Sequence, residues 1–259
     1  MISTSFLLEN RIETARVGGL PIACLTIAET ADLMMAAVSQ ARRQGRPIYM
    51  TSANGEVIAR CMYEPEIAQL FECADLISAD GQPMVLASKL VCKRALPERV
   101  ATTDLLDFVA ERAAKAQKSF YLLGGEQEVA AIAAARIKAR HPELRIVGHS
   151  HGYFSPTDAP DVADEINRVA PDILWIGMGV PREQSFVVNW AHRMTSVGVI
   201  KTAGGLFDFV SGRVARAPSW IQASGFEWAW RMAMEPKRLF WRYAVTNPVA
   251  MYAMIRKSN

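Results

Sequence analysis

Asp80 is the residue of this chain best placed to act as an acid or base. It sits in the run ADGQP, directly after the apolar run DLIS, with few charged neighbours. A carboxylate in that position can take a proton from a substrate hydroxyl within hydrogen-bond reach. Spacing alone supports equally a turn aspartate bonded to the backbone that follows. Three further runs place glycines where a phosphate can approach main-chain N–H groups. They are Gly124-Gly125 after SFYLL, GMGVPREQ with Gly179 after ILWI, and Gly204-Gly205 after GVIKTA. Such glycines also serve plain strand-to-helix turns, and Glu126 and Glu128 would repel an anion at the first pair. Asn54, after PIYMTSA, reads as a helix N-cap with a possible ligand role. Asp208, in an FDF setting, reads as structural.

Several chemistries lack their signatures. There is no full GxGxxG, no GxxxxGK[ST] and no GxSxG turn. His149 and His151 have no third ligand nearby, so no metal site is expected, and no cofactor. The cysteines Cys24, Cys61, Cys73 and Cys92 are too scattered for a disulfide or zinc framework.

The elements that must carry these residues alternate along the chain. Strands are predicted over 47–51, 75–78, 119–123, 144–148, 173–177 and 198–202, with a strand or hairpin over 17–25. Helices are predicted over 28–44, 54–63, 65–73, 83–91, 103–117, 126–140, 159–169 and 182–194, with Thr103 and Asp104 as an N-cap. Short β-branched runs between helices of this length imply a Rossmann-like parallel sheet with helices on both faces. Ligands of such sheets bind beyond the carboxyl ends of the strands. All the residues above lie there.

The tail has a different composition. Residues 213–259 hold eight basic and two acidic residues, a net +6, in a chain of net +3, so residues 1–212 carry about −3. Trp220, Trp228, Trp230 and Trp241 sit in it, four of the six tryptophans. Tryptophan with arginine suits an apolar surface beside anionic headgroups or phosphates. Trp228, Arg231, Glu235 and Arg238 follow helical steps that would share one face. The expected division is an α/β catalytic domain over 1–212 and a basic, Trp-rich helical appendage over 213–259 that associates with a membrane. No window of eighteen apolar residues spans a bilayer, and the N-terminal run has no signal-peptide pattern. The negative body argues against a broad nucleic-acid footprint.

In order, the blocks TSANGEVI, ADLISADGQPMV, LPERVATTDLL, FYLLGGEQEVA, PDILWIGMGVPREQ, GGLFDFVSGRVARAPSW and FEWAWRMAMEPKRLFWRY resemble the WecG/TagA/CpsF family of bacterial glycosyltransferases. The resemblance runs from about residue 17 to 243. It implies a metal-independent, inverting transfer of a sugar from a UDP-sugar to a polyprenyl-diphosphate-linked glycan, at the cytoplasmic face of the inner membrane. It makes Asp80 the general base and Asn54 a substrate contact, with Thr51 or Ser52 supplying the family's neighbouring hydroxyl. The family's P-K-Q-E segment is Pro181-Arg182-Glu183-Gln184 here, with glutamate and glutamine transposed. Arg216, Arg231, Arg238 and Arg242 match a C-terminal clamp for a diphosphate, a task that suits guanidinium forks. N-acetylmannosamine, its uronic acid and glucuronic acid are the sugars to consider. A uronic acid would want a cation such as Arg182 or Lys201. A non-catalytic protein that binds lipid-linked glycan is the alternative, and a homo-oligomer is compatible with the apolar tail.

Overall fold

The computed structural model describes residues 4–218, 220–221 and 226–259, except the side chains of Thr4 and Arg238. Six parallel strands form the central sheet: β3 (Ile48–Ala53), β4 (Leu76–Ala79), β5 (Ser119–Gly124), β6 (Arg145–Ser150), β7 (Ile173–Gly177) and β8 (Val199–Thr202). Their order is β4-β3-β8-β7-β5-β6. A separate antiparallel hairpin, β1 (Thr14–Val17) and β2 (Leu20–Ala23), occupies the region where one was expected.

The sheet is parallel because its strands are apolar on both faces. Every residue of β4, β5, β7 and β8 is buried, as a strand covered on both sides requires. Side chains alternate between two cores. Tyr49, Ile77, Leu123, Leu174 and Ile200 face one, and Ile48, Leu76, Phe120, Trp175 and Val199 face the other. Only β6, at the edge, is partly exposed throughout.

The crossover helices are α2 (Ile27–Gln44), α3 (Gly55–Tyr63), α4 (Pro65–Glu72), α5 (Gln82–Val91), α6 (Thr102–Lys115), α7 (Gln127–Arg140), α8 (Ala159–Val169) and α9 (Arg182–Trp190), after a short α1 (Thr4–Glu9). Their starts and stops follow local chemistry. Thr26 and Glu29 form a capping box on α2, and Gly45 closes it with φ of 64°. Asn54 caps α3, its side chain accepting the Val57 N–H at 3.1 Å. Helix α6 departs from expectation. It begins at Thr102, with Ala101 as the residue before it, so neither Thr103 nor Asp104 is the N-cap. Helix α9 is also shorter than its periodicity implied, because Ala191–Arg193 tightens into a 3-10 turn.

After β8 come α10 (Leu206–Val210), α11 (Glu227–Met234) and α12 (Pro236–Arg256). The single helix face expected for Trp228, Arg231, Glu235 and Arg238 does not form. Pro236 starts a new helix, and Glu235 between the two is non-helical, with φ of −131° and ψ of 58°. The far half of α12 joins the body: Ala250, Ala253 and Met254 are buried in the same core as Ile58. The chain end is stitched to the hairpin. Gly19 N–H donates to the Lys257 carbonyl at 2.9 Å, and Asn259 N–H to the Arg16 carbonyl at 3.1 Å.

Candidate active site at the carboxyl edge of the sheet

Strand order decides where the cleft opens. Strands β3 and β4 run to one edge, while β8, last in the chain, returns to the centre beside β3. The ends of β3, β4 and β8 therefore stand side by side, each followed by a turn away from the sheet, and a crevice forms beyond them. It has a volume of about 240 Å³. Ser52, Asn54, Asp80, Gly204 and Gly205 line it from the body, with Arg99 and Thr102. Glu227, Trp228 and Arg231 close it from α11, and Arg242 and Asn247 from α12.

Asp80 follows the last residue of β4, and its backbone N–H donates to the Ala53 carbonyl at 2.8 Å. One carboxylate oxygen, Oδ2, accepts the Thr102 hydroxyl at 2.8 Å and the Thr102 backbone N–H at 3.3 Å. The acid thus satisfies an open donor in the first turn of α6, which the helix's own sequence leaves without a side-chain cap. The other oxygen, Oδ1, faces the Arg99 guanidinium at 3.5 Å. A quarter of the side-chain surface opens to the cleft. The walls withdraw the rest from water, and this desolvation pushes the Asp80 carboxyl above its ordinary value. Arg99, the Thr102 hydrogen bonds and Lys201 act in the opposite direction. A carboxyl raised in this way holds a proton more readily once it has taken one, which suits proton abstraction.

The alternation of β3 separates the two neighbouring hydroxyls. Ser52 lines the cleft, where its Oγ accepts from Lys201 Nζ at 2.7 Å. Thr51 is fully buried, and its hydroxyl pairs with that of Thr202 at 2.7 Å. Ser52 is therefore the hydroxyl that faces the cleft.

Glu183 and Gln184 are buried at the start of α9. The Glu183 carboxylate collects the N–H groups of Met178, Gly179 and Gly204 at 3.0–3.2 Å. It thereby ties the loop after β7 to the loop after β8. Burial pushes its carboxyl up, against those hydrogen bonds. Glu183 reaches the cleft as part of its floor, while Gln184 points to Thr51 and Glu183 and lies outside the lining.

Other expected residues lie apart. Gly124 and Gly125 follow β5, and the cleft lining does not include them. Gly124 has φ of 148°, and a Cβ there would collide with the Gly177 carbonyl, so close packing of two strand ends accounts for it. Gly179 lies behind Glu183, and Arg182 donates to the Gly152 carbonyl at 2.8 Å while stacking over Tyr153. Arg216 forks onto Asp104 at 2.5 and 2.9 Å and approaches Glu227 at 3.8 Å, just outside the lining.

Arg231 and Arg242 do face the cleft. Arg231 lies over Phe209 at 5.3 Å, and Arg242 pairs with Glu56 at 3.2 Å. The Nε of each is buried without a partner, so unspent donors line the wall. Arg238 lies on α12, but its side chain falls outside the described residues. Residue reasoning missed Arg99, Thr102 and Glu227. Arg99 comes from an irregular stretch with no periodicity to mark it, Thr102 is the first residue of α6, one ahead of its expected start, and Glu227 is one of two acids in a basic tail. Among the described residues, no group of three or more His, Cys, Asp or Glu side chains could hold a metal ion.

A cleft at the carboxyl edge of a parallel sheet, lined by Asp80 and by the guanidiniums of Arg99, Arg231 and Arg242, is the arrangement suited to a group-transfer enzyme with an anionic substrate. Residues 15–259 match the model of the Glycosyl transferase WecG/TagA/CpsF family, and the chain belongs to that family. It is similar to the N-acetylglucosaminyldiphosphoundecaprenol N-acetyl-beta-D-mannosaminyltransferase of Bacillus spizizenii, 31% identical over 216 residues, covering 82% of this chain and 80% of the relative. The protein of the same name from Bacillus subtilis is 29% identical over 208 residues, covering 79% and 77%.

Proposed function

We propose that this glycosyltransferase moves a sugar from a UDP-sugar to a polyprenyl-diphosphate-linked glycan, with inversion and without a metal. The observation that carries the reading is the Asp80 carboxylate, with Arg99 beside it, in a cleft that Arg231 and Arg242 also line. Asp80 takes the proton of the acceptor hydroxyl as its oxygen attacks the anomeric carbon. The bond from that carbon to the diphosphate breaks in the same step, and UDP leaves with the electron pair. Developing charge on the diphosphate meets Arg231 and Arg242, two guanidiniums of the cleft wall. Gly204 and Gly205 add no side chain to the cleft wall.

The relatives' printed name supports a diphosphoundecaprenol-linked acceptor and makes N-acetylmannosamine the first sugar to test. A UDP-sugar panel against synthetic polyprenyl-diphosphate acceptors, read by mass spectrometry, tests the reading. Absence of transfer and of UDP release across the panel would sink it.

The tail suits a peripheral site on the cytoplasmic face of the inner membrane. No described helix is long and apolar enough to cross a membrane. Yet Phe240, Trp241, Val245, Met251, Tyr252 and Ile255 of α12 are all exposed, beside the basic residues of the same segment. Such a face would rest in the headgroup layer. The cleft is smaller than the roughly 300–1,000 Å³ usual for sites that enclose a ligand of this size. Helix α11, which closes it, would therefore shift as substrates enter, making the membrane-facing appendage also the lid.

A further inference from the structure

Among the described residues, Lys201 is the one lysine buried completely, on β8 beneath the cleft. It is absent from the cleft lining and lies behind Ser52, which is in it. Its Nζ donates to the Thr202 carbonyl at 2.8 Å and to Ser52 Oγ at 2.7 Å. Ser52 Oγ lies 3.3 Å from Thr102 Oγ1, which donates to Asp80 Oδ2 at 2.8 Å. The direction of this chain is fixed at both ends. An ammonium only donates and a carboxylate only accepts. Ser52 must then accept from Lys201 and pass its own proton toward Thr102, whose proton points at Asp80.

We propose that Lys201 is a positioning residue for the Asp80 base, acting through a polarised chain of the Ser52 and Thr102 hydroxyls. The chain does two things. It stabilises the ionised carboxylate, because aligned hydrogen bonds strengthen one another in a low-dielectric wall. It also occupies Oδ2, leaving Oδ1 as the oxygen that meets the substrate proton. The charges around the chain are few. Asp80 faces Arg99, which is held in turn by Glu227 of α11 at 2.8 Å. Lys201 is flanked by Asp80 and Glu183, and Tyr49 lies beside Glu183. Burial lowers the Lys201 ammonium to about 8, so it still carries its charge at neutrality.

The inference rests on the reading of Asp80 as base, and its test separates the two. The Asp80 carboxyl is titrated by carbon-13 NMR in the whole protein, with Asp80→Asn to assign the signal, alongside the pH profile of kcat/KM. Lys201→Met is expected to raise the Asp80 pKa by about one unit and move the acid limb of the profile with it. Ser52→Ala should give a smaller shift of the same sign, and Ser52→Thr, which keeps the hydroxyl, should give none. The double variant should shift no further than Lys201→Met alone, since both break one chain. An Asp80 titration unmoved by Ser52→Ala would overturn the proposal, as would full additivity. Should Lys201→Met fail to fold, the Ser52 pair decides by itself. If the titration shifts as expected while Asp80→Asn still turns over, the chain stands and the base assignment falls.

Discussion

Thr102 and Asp80, 22 residues apart in sequence, meet through one carboxylate oxygen that takes both the hydroxyl and the main-chain N–H of Thr102. The first residue of α6 thus holds the carboxylate that follows β4, and the acid in turn completes the helix start. A carboxylate bonded in this way cannot rotate freely. Its other oxygen, Oδ1, faces the cleft beside Arg99.

That geometry makes Asp80→Asn the direct test of the base. The amide keeps the size of the side chain and can still bond to Thr102, but it cannot accept a proton. Transfer should fall by about 10²–10⁴-fold, the usual contribution of a positioned base. UDP affinity, measured by calorimetry, should stay within a few fold. Near-normal turnover would remove Asp80 from the mechanism.

Arg231→Ala and Arg242→Ala should each lower kcat/KM by about 10- to 100-fold, the effect of losing a charged hydrogen bond of roughly 1.5–3 kcal/mol. Lysine at either position should restore only part of the loss, because a point charge lacks the planar fork. Unchanged kinetics for both alanine variants would mean that the diphosphate binds elsewhere.

Gly124→Ala separates packing from ligand contact. The residue needs φ of 148°, and an added methyl would meet the Gly177 carbonyl. A loss of about 1–3 kcal/mol in denaturant unfolding is expected from the backbone strain. The folded fraction should keep its donor KM. A raised KM with unchanged stability would instead place a phosphate at Gly124-Gly125.

The buried Lys201 predicts a pH dependence of stability. Its ammonium ionises at about 8 in the folded chain against 10.5 in the open. Between those values only the unfolded chain holds the proton, so unfolding becomes harder as pH rises through the window. The difference in unfolding free energy between wild type and Lys201→Met should grow over that range, by roughly 3 kcal/mol at most. Referring each point to Lys201→Met cancels the tyrosines and cysteines that titrate in the same range. A flat difference would show that the lysine is not desolvated.

Membrane binding should depend on the exposed side of α12. Trp241, 73% exposed, and Tyr252 are the residues to replace with glutamate. Flotation with anionic vesicles should drop several-fold in the double variant, with the melting temperature little changed. Deleting the tail is a poorer test, because Ala250, Ala253 and Met254 belong to the core. Flotation equal to wild type would assign the anchor to another surface.

Much of the architecture was legible because parallel strands announce themselves. SFYLL and ILWIG are apolar without alternation, which only a strand covered on both faces tolerates. Asp80, Asn54 and Gly204 were also legible, each as a polar or small residue just past such a run. Boundaries were less so. Strand β3 runs on through Ala53, beyond the apolar stretch that marked it, because pairing with β4 holds Ser52 and Ala53 in the sheet. Helix α6 starts a residue early because Asp80, far away in the chain, supplies its cap.

By itself the sequence determined the class of fold, the candidate base and the cationic tail, since these follow from composition and from periods of two and 3.6 residues. Which groups meet was decided by tertiary structure alone. Strand order set the ends of β3, β4 and β8 together and left Gly124-Gly125 outside. It placed Lys201 under Ser52, Arg99 beside Asp80, and Glu227 against Arg99. The physical reason is that a hydrogen bond or an ion pair depends on distance in space. Local pattern carries no record of which strand will lie beside which.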